Sequence, residues 1–69
     1  MQVVVYVGDK IKHLRDAHAL TQVELAKKVG ITATALSRIE RNQAEPRATT
    51  RRKLAQVLGV DPAELVEGP

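Results

Sequence analysis

A chain of 69 residues forms at most one domain, and at this size folding buries only roughly 60% of the surface that the unfolded chain exposes. With 43% hydrophobic residues, no Phe or Trp and Tyr6 as the single aromatic, the core has to be built from Leu, Ile, Val and Ala, which leaves no room for a substrate pocket of on the order of a few hundred Å³ and counts against an enzyme; the lack of Cys excludes both a disulfide framework and a thiolate zinc site. The net charge of +3 is unevenly spread, with six basic residues (Arg38, Arg41, Arg47, Arg51, Arg52, Lys53) against two acids between positions 38 and 53 and an acidic tail of Asp61, Glu64 and Glu67, so that stretch is either an ordinary solvated basic face or a surface for a polyanion.

The chain opens with MQVVVYVG. Consecutive β-branched residues and Gly8 favour a strand over Gln2 to Val7, although Val3, Val7, Ile11 and Leu14 also have helical spacing and allow the first helix to extend backward. As a strand, the segment puts Val3, Val5 and Val7 on one face and Val4 and Tyr6 on the other, and nothing else in the chain reads as a strand to pair with it. Antiparallel pairing of Val3, Val4, Val5, Tyr6 and Val7 with the same segment of a second molecule is therefore expected, making residues 1–8 a dimerisation arm on a helical domain of residues 9–67. The apolar start lacks the basic flank and small-residue cleavage site of a signal peptide, and no stretch approaches the roughly 18 apolar residues of a membrane span, so a cytoplasmic location and no membrane partner are expected.

After Gly8, Asp9 reads as the cap of a first helix in which Ile11, Leu14 and His18 share a face, ending near Ala19. Thr21 and Glu24 form a capping box and Gly30 a left-handed stop, which bounds a second helix from Gln22 to Val29. Thr32 caps a third, Ala33 to about Arg41, with Leu36 and Ile39 inward. A polar loop from Asn42 to Pro46 follows, then a fourth helix capped by Thr49 or Thr50, with Leu54, Ala55 and Leu58 inward and Gly59 closing it. Asp61, Pro62 and Glu64 give a cap, an N-terminal proline and a second capping box for a short fifth helix.

Two short helices joined by Gly30, Ile31 and Thr32 make a helix-turn-helix unit, whose second helix stands at a steep angle to the first. The stretch LTQVELAKKVGITATALSRIERNQAEP followed by RRKLAQVLGVDPAEL resembles the Xre/Cro family of lambda-repressor-like domains from about Ile11 to Leu65. The pattern is carried by Arg15, Thr21, Gln22, Leu25, Ala26, Gly30, Thr32, Leu36, Ile39, Glu40 and Pro46 in register. Two positions depart from it: Asn42 stands where glycine is common, and Arg51 where an aliphatic residue is common, so the fourth helix has a narrow apolar stripe and Arg51 can snorkel over the core edge.

The resemblance implies an all-α, lambda-repressor-like bundle of about five short helices, here with a short N-terminal strand added, that binds double-stranded DNA sequence-specifically as a transcriptional regulator. It places residues 33–41 in the major groove and suggests a homodimer on a palindromic operator. At about 100° per residue, Leu36, Ile39 and Glu40 share the inward side of the third helix, and by resemblance Ala33, Thr34, Ser37 and Arg38 are where base edges are read. Phosphate contacts are expected from Gln22, Arg41, Asn42, Gln43 and Arg47, with Lys27 and Arg52 as weaker candidates, and Arg15 with Glu40 is expected to form a buried structural ion pair. His13 and His18, five residues apart, point about 140° from one another and cannot clamp one metal; no cofactor, small-molecule ligand or catalytic arrangement is expected. The competing reading is an antitoxin or regulator-antagonist subunit that has this fold but acts mainly through a protein partner.

Overall fold

Residues 6–66 are described by a computed structural model, in which apolar residues at helical spacing fold into four α-helices and one 3-10 turn. They are α1 (Val7–Ala17), α2 (Gln22–Val29), α3 (Ala33–Glu40) and α4 (Ala48–Leu58), followed by the 3-10 turn Pro62–Leu65. Each helix buries a short stripe: Val7, Gly8 and Ile11 in α1, Leu25, Ala26 and Val29 in α2, Leu36, Ile39 and Glu40 in α3, Leu54, Ala55 and Leu58 in α4. These stripes meet in one core, which Leu65 of the 3-10 turn joins where that turn packs on α4 and α1. α3 packs on α1 and α2, and α2 also packs on α4.

The local punctuation explains where the helices stop. The Thr21 hydroxyl accepts the Glu24 N–H (3.1 Å) and the Glu24 carboxylate accepts the Thr21 N–H (2.9 Å), so both side chains satisfy first-turn donors of α2. The Thr21 backbone N–H first, and the Thr21 side chain second, hold the Glu24 carboxyl below its ordinary pKa. Gly30 ends α2 in the left-handed region (φ 86°), and Thr32 begins α3 by accepting the Ala35 N–H at 3.0 Å. α1 and α3 both end in the same way, on a left-handed residue that is not glycine: Ala19 (φ 56°) and Asn42 (φ 61°). In each case the next N–H reaches back to a helix carbonyl, Leu20 to Arg15 at 3.1 Å and Gln43 to Arg38 at 2.9 Å, which is the six-to-one bond of a Schellman ending.

The structure corrects the expected N-terminal strand. Tyr6 is the extended residue before α1, Val7 and Gly8 lie inside the helix, and there is no strand among the described residues; positions 2–5 of the expected strand, including Val3, Val4 and Val5, lie outside them. The reason is tertiary. Val7 is drawn onto the core one turn before Ile11, and Gly8 lets α1 come against the end of α3: a Cβ there would collide with the Ile39 carbonyl oxygen and lie 2.8 Å from that of Glu40. The Gly8 N–H donates to Asn42 Oδ1 (2.9 Å), so a side chain distant in sequence serves as the cap that Tyr6 does not provide. α1 therefore starts two residues before Asp9 and ends at Ala17 rather than near Ala19.

Three further boundaries move. α3 ends at Glu40 with Arg41 as its C-terminal cap residue. α4 begins at Ala48, ahead of the expected caps Thr49 and Thr50, and the residue before it, Arg47, makes no capping bond with its side chain. The expected fifth helix is a single 3-10 turn, held by Asp61 Oδ1 accepting the Ala63 N–H (2.9 Å) and Glu64 Oε2 accepting the Asp61 N–H (3.1 Å).

Candidate nucleic-acid interface

Glu40 fixes the orientation of the helix-turn-helix. Only 4% of its surface is exposed, and its carboxylate accepts three hydrogen bonds: from Arg15 Nε (2.7 Å to Oε2), Arg15 Nη2 (3.1 Å to Oε1) and Gln22 Nε2 (3.0 Å to Oε1). The bidentate pair with Arg15 ties α1 to α3, and the Gln22 bond ties the start of α2 to the end of α3. Arg15 Nη1 also donates to the Leu20 carbonyl (2.8 Å) and sits 3.4 Å from Asp16 Oδ1. The Glu40 hydrogen bond raises the Arg15 pKa above its ordinary value against the opposing effect of burial, with the charges of Glu40 and Asp16 adding to it. No buried side-chain nitrogen or oxygen among the described residues lacks a partner.

With Leu36, Ile39 and Glu40 turned inward, the opposite side of α3 carries Thr34, Ser37, Arg38 and, just past the helix end, Arg41. Thr34, Arg38 and Arg41 are exposed, whereas Ser37 is half-buried and Ala33, at the first position of the helix, packs on the edge of the core. This face joins two cations to a hydroxyl-bearing stripe that can reach hydrogen-bonding edges, and the small Ala33 leaves room for close approach.

The residues read as phosphate contacts differ in how free they are. Gln43 and Arg47 are exposed, and Arg41 makes only a long 3.4 Å bond from Nε to the Ser37 carbonyl. Gln22 is half-buried and has given one amide hydrogen to Glu40; it keeps the second, together with a first-turn backbone N–H that has no acceptor within the helix. Asn42 is held on both sides of its amide, its oxygen by Gly8 and its nitrogen by a 3.5 Å approach to Asp9 Oδ1, so its side chain serves α1 first. Among the weaker candidates, Lys27 and Arg52 are exposed; Arg51 is half-buried and lines an open groove of about 570 Å³ with Val7, Asn42 and Leu65.

The sequence reading missed two of these ties, Gln22 to Glu40 and Asn42 to Gly8. The second had a signal in Gly8, a glycine within residues of helical spacing, where a close backbone approach is the usual reason. His18 also gains a role: its Nε2 lies 2.9 Å from the Leu58 carbonyl, which can only accept, so the ring nitrogen donates and ties the end of α1 to the last turn of α4. Among the described residues there is no group of three or more His, Asp or Glu side chains placed to hold a metal, and no helix is long and apolar enough to cross a membrane.

The comparisons with known proteins agree with this geometry. A helix-turn-helix family model matches residues 11–65. The immunity repressor protein of Bacillus phage phi105 is 37% identical over 60 residues, covering 87% of this chain and 42% of the repressor, so the chain spans less than half of that relative's length. The P22 c2 repressor, solved in complex with a synthetic operator, superposes with a TM-score of 0.88 at 29% identity, covering 94% of this chain and 98% of the other. SinR, a master regulator for biofilm formation solved in complex with DNA, superposes at 0.79 with 37% identity, covering 86% of this chain and 95% of that one. On the match of residues 11–65, within which α2 and α3 form the unit that Glu40 locks, the chain belongs to the helix-turn-helix family of the Xre/Cro, lambda-repressor-like kind.

Proposed function

We propose that this protein is a sequence-specific DNA-binding transcriptional regulator that places α3 in the major groove, and that it works in the cytoplasm. The observation that carries the reading is the two-sidedness of α3: Glu40 is buried under three hydrogen bonds while Thr34, Arg38 and Arg41 stand exposed on the other side. A helix so held presents fixed side chains to a groove without ordering them at the moment of binding. In this reading Arg38 pairs with guanine O6 and N7, Ser37 and Thr34 reach neighbouring edges, and Ala33 or the Thr34 methyl packs on a thymine methyl. Gln22, Arg41, Gln43 and Arg47 position the protein on phosphates, and Asn42 contributes mainly by holding α1 against the end of α3. The solved relatives bound to an operator and to DNA support duplex DNA as the ligand class.

A single copy offers one short recognition helix, and two copies related by a two-fold axis would read a palindrome with α3 helices about one DNA turn, roughly 34 Å, apart. We infer a homodimer on the operator for that reason, without assigning its contact to paired N-terminal strands. Selection of bound sites from random duplex tests both levels. A palindromic consensus with half-sites about 10 bp apart is the expected result; absence of any binding at low salt would remove the DNA reading, and a single asymmetric half-site would remove the dimer.

A further inference from the structure

Side chains that read bases differ in what they offer a major-groove edge, and α3 offers a narrow set. Glu40 is the one carboxylate of the helix and is held on the buried side by three hydrogen bonds, and the helix contains no Asn or Gln. The amides that flank it are engaged as well, Gln22 by Glu40 and Asn42 by Gly8 and Asp9, while Gln43 lies beyond the left-handed turn at Asn42. What remains outward is the guanidiniums of Arg38 and Arg41, which only donate, the hydroxyls of Thr34 and Ser37, which donate or accept, and the methyls of Ala33 and Thr34. Ala33 is half-buried against the edge of the core, so its methyl is fixed at the first position of α3.

An adenine is read by an amide and a cytosine amine by a carboxylate, and α3 has neither free. Thymine and 5-methylcytosine carry the same methyl at C5 and differ in the major groove only at C4, where one has a carbonyl oxygen and the other an amine. A hydroxyl meets either group, donating to the oxygen or accepting from the amine. The purine opposite changes from adenine to guanine, which replaces an amine by a carbonyl oxygen that a guanidinium can meet. Nothing on the outward face of α3 therefore penalises the exchange, whereas loss of the methyl leaves Ala33 and Thr34 without an apolar partner.

We propose that α3 reads a C5-methyl group of its operator and not the pyrimidine that carries it, so that methylation of a cytosine at that position strengthens binding. The proposal rests on the DNA reading above and adds a form of regulation to it, carried by the DNA base and requiring no ligand on the protein.

The test uses the duplex selected from random sequence, with each thymine in turn replaced by deoxyuridine, by 5-methylcytosine paired with guanine, or by cytosine paired with guanine. At one position at least, deoxyuridine and cytosine are expected to weaken binding about fourfold, the burial of one methyl, and 5-methylcytosine to stay within about twofold of thymine. Thr34→Ser and Ala33→Gly are then compared on the thymine and deoxyuridine duplexes. The ratio of the two affinities is read within each variant, so a change in folding stability cancels, and it is expected to shrink in at least one of them. A selected half-site without thymine, or no loss with deoxyuridine at any thymine, overturns the proposal and leaves the DNA reading intact. So does 5-methylcytosine binding as weakly as cytosine, because the contact then lies at C4 and not at the methyl. A deoxyuridine loss that persists undiminished in both variants takes the methyl contact away from α3 and overturns it too. If no duplex binds at low salt, the DNA reading itself fails and the methyl reading with it.

Discussion

The Glu40 carboxylate is nearly sealed from solvent, and its partner Arg15 has an 11% exposed side chain, so the pair belongs to the interior rather than to the surface class of ion pairs. Truncating one member strands the other, at a cost of about 3–5 kcal/mol. For a domain of this size that is most of the stability available. Glu40→Ala is therefore expected to shift the chemical denaturation midpoint sharply and to release Gln22 as well; an unchanged midpoint would show that the pair holds nothing. Arg38 is the opposite case, an exposed side chain that makes no ion pair among the described residues. Arg38→Ala should leave melting nearly unchanged, weaken binding to a selected site by about 1–3 kcal/mol and relax one base position. Equal losses on selected and random duplex would move Arg38 from the bases to the backbone.

For the helices, the instructive positions are where local preference and packing disagree. Alanine is favoured over glycine inside a helix by roughly 0.5–1 kcal/mol, yet a Cβ at position 8 would meet two backbone carbonyls of α3, and overpacking of that kind costs about 1–3 kcal/mol. Gly8→Ala should therefore destabilise, as a lower melting temperature, with the loss of the Asn42 bond adding to the effect. Position 19 should behave in reverse. Ala19 sits at φ 56°, a region that costs an L-residue with a Cβ roughly 1 kcal/mol, so Ala19→Gly is expected to raise stability by about that amount, a gain of some 4–8 °C in melting for a domain this small. A melting temperature that stays flat or falls would mean that the flexibility added to the unfolded chain cancels the relief. The expectation that α1 ran to Ala19 failed at this point, because no glycine marks the stop.

At the scale of the whole molecule, a small two-fold assembly would give the recognition face the symmetry that one copy lacks, and sedimentation equilibrium with and without a palindromic duplex is expected to show two copies per site; one copy per duplex would leave the protein reading a half-site alone. How it pairs was not legible, since the strand expected at the N-terminus gives way at Val7 to α1. What the sequence determined alone is what short-range chemistry fixes: the capping box of Thr21 and Glu24, the Gly30 stop, the Thr32 cap, and the inward stripes of α3 and α4, all of which depend on residues within one or two turns of one another. Only the tertiary structure decided where α1 starts, because that depends on Gly8 meeting the Ile39 and Glu40 carbonyls and Asn42, more than 30 residues away. It also decided that Gln22 is tethered to Glu40. Helical periodicity assigns a side chain to a face, but which faces meet, and which polar groups are thereby used up or brought together, depends on contacts that no local pattern encodes.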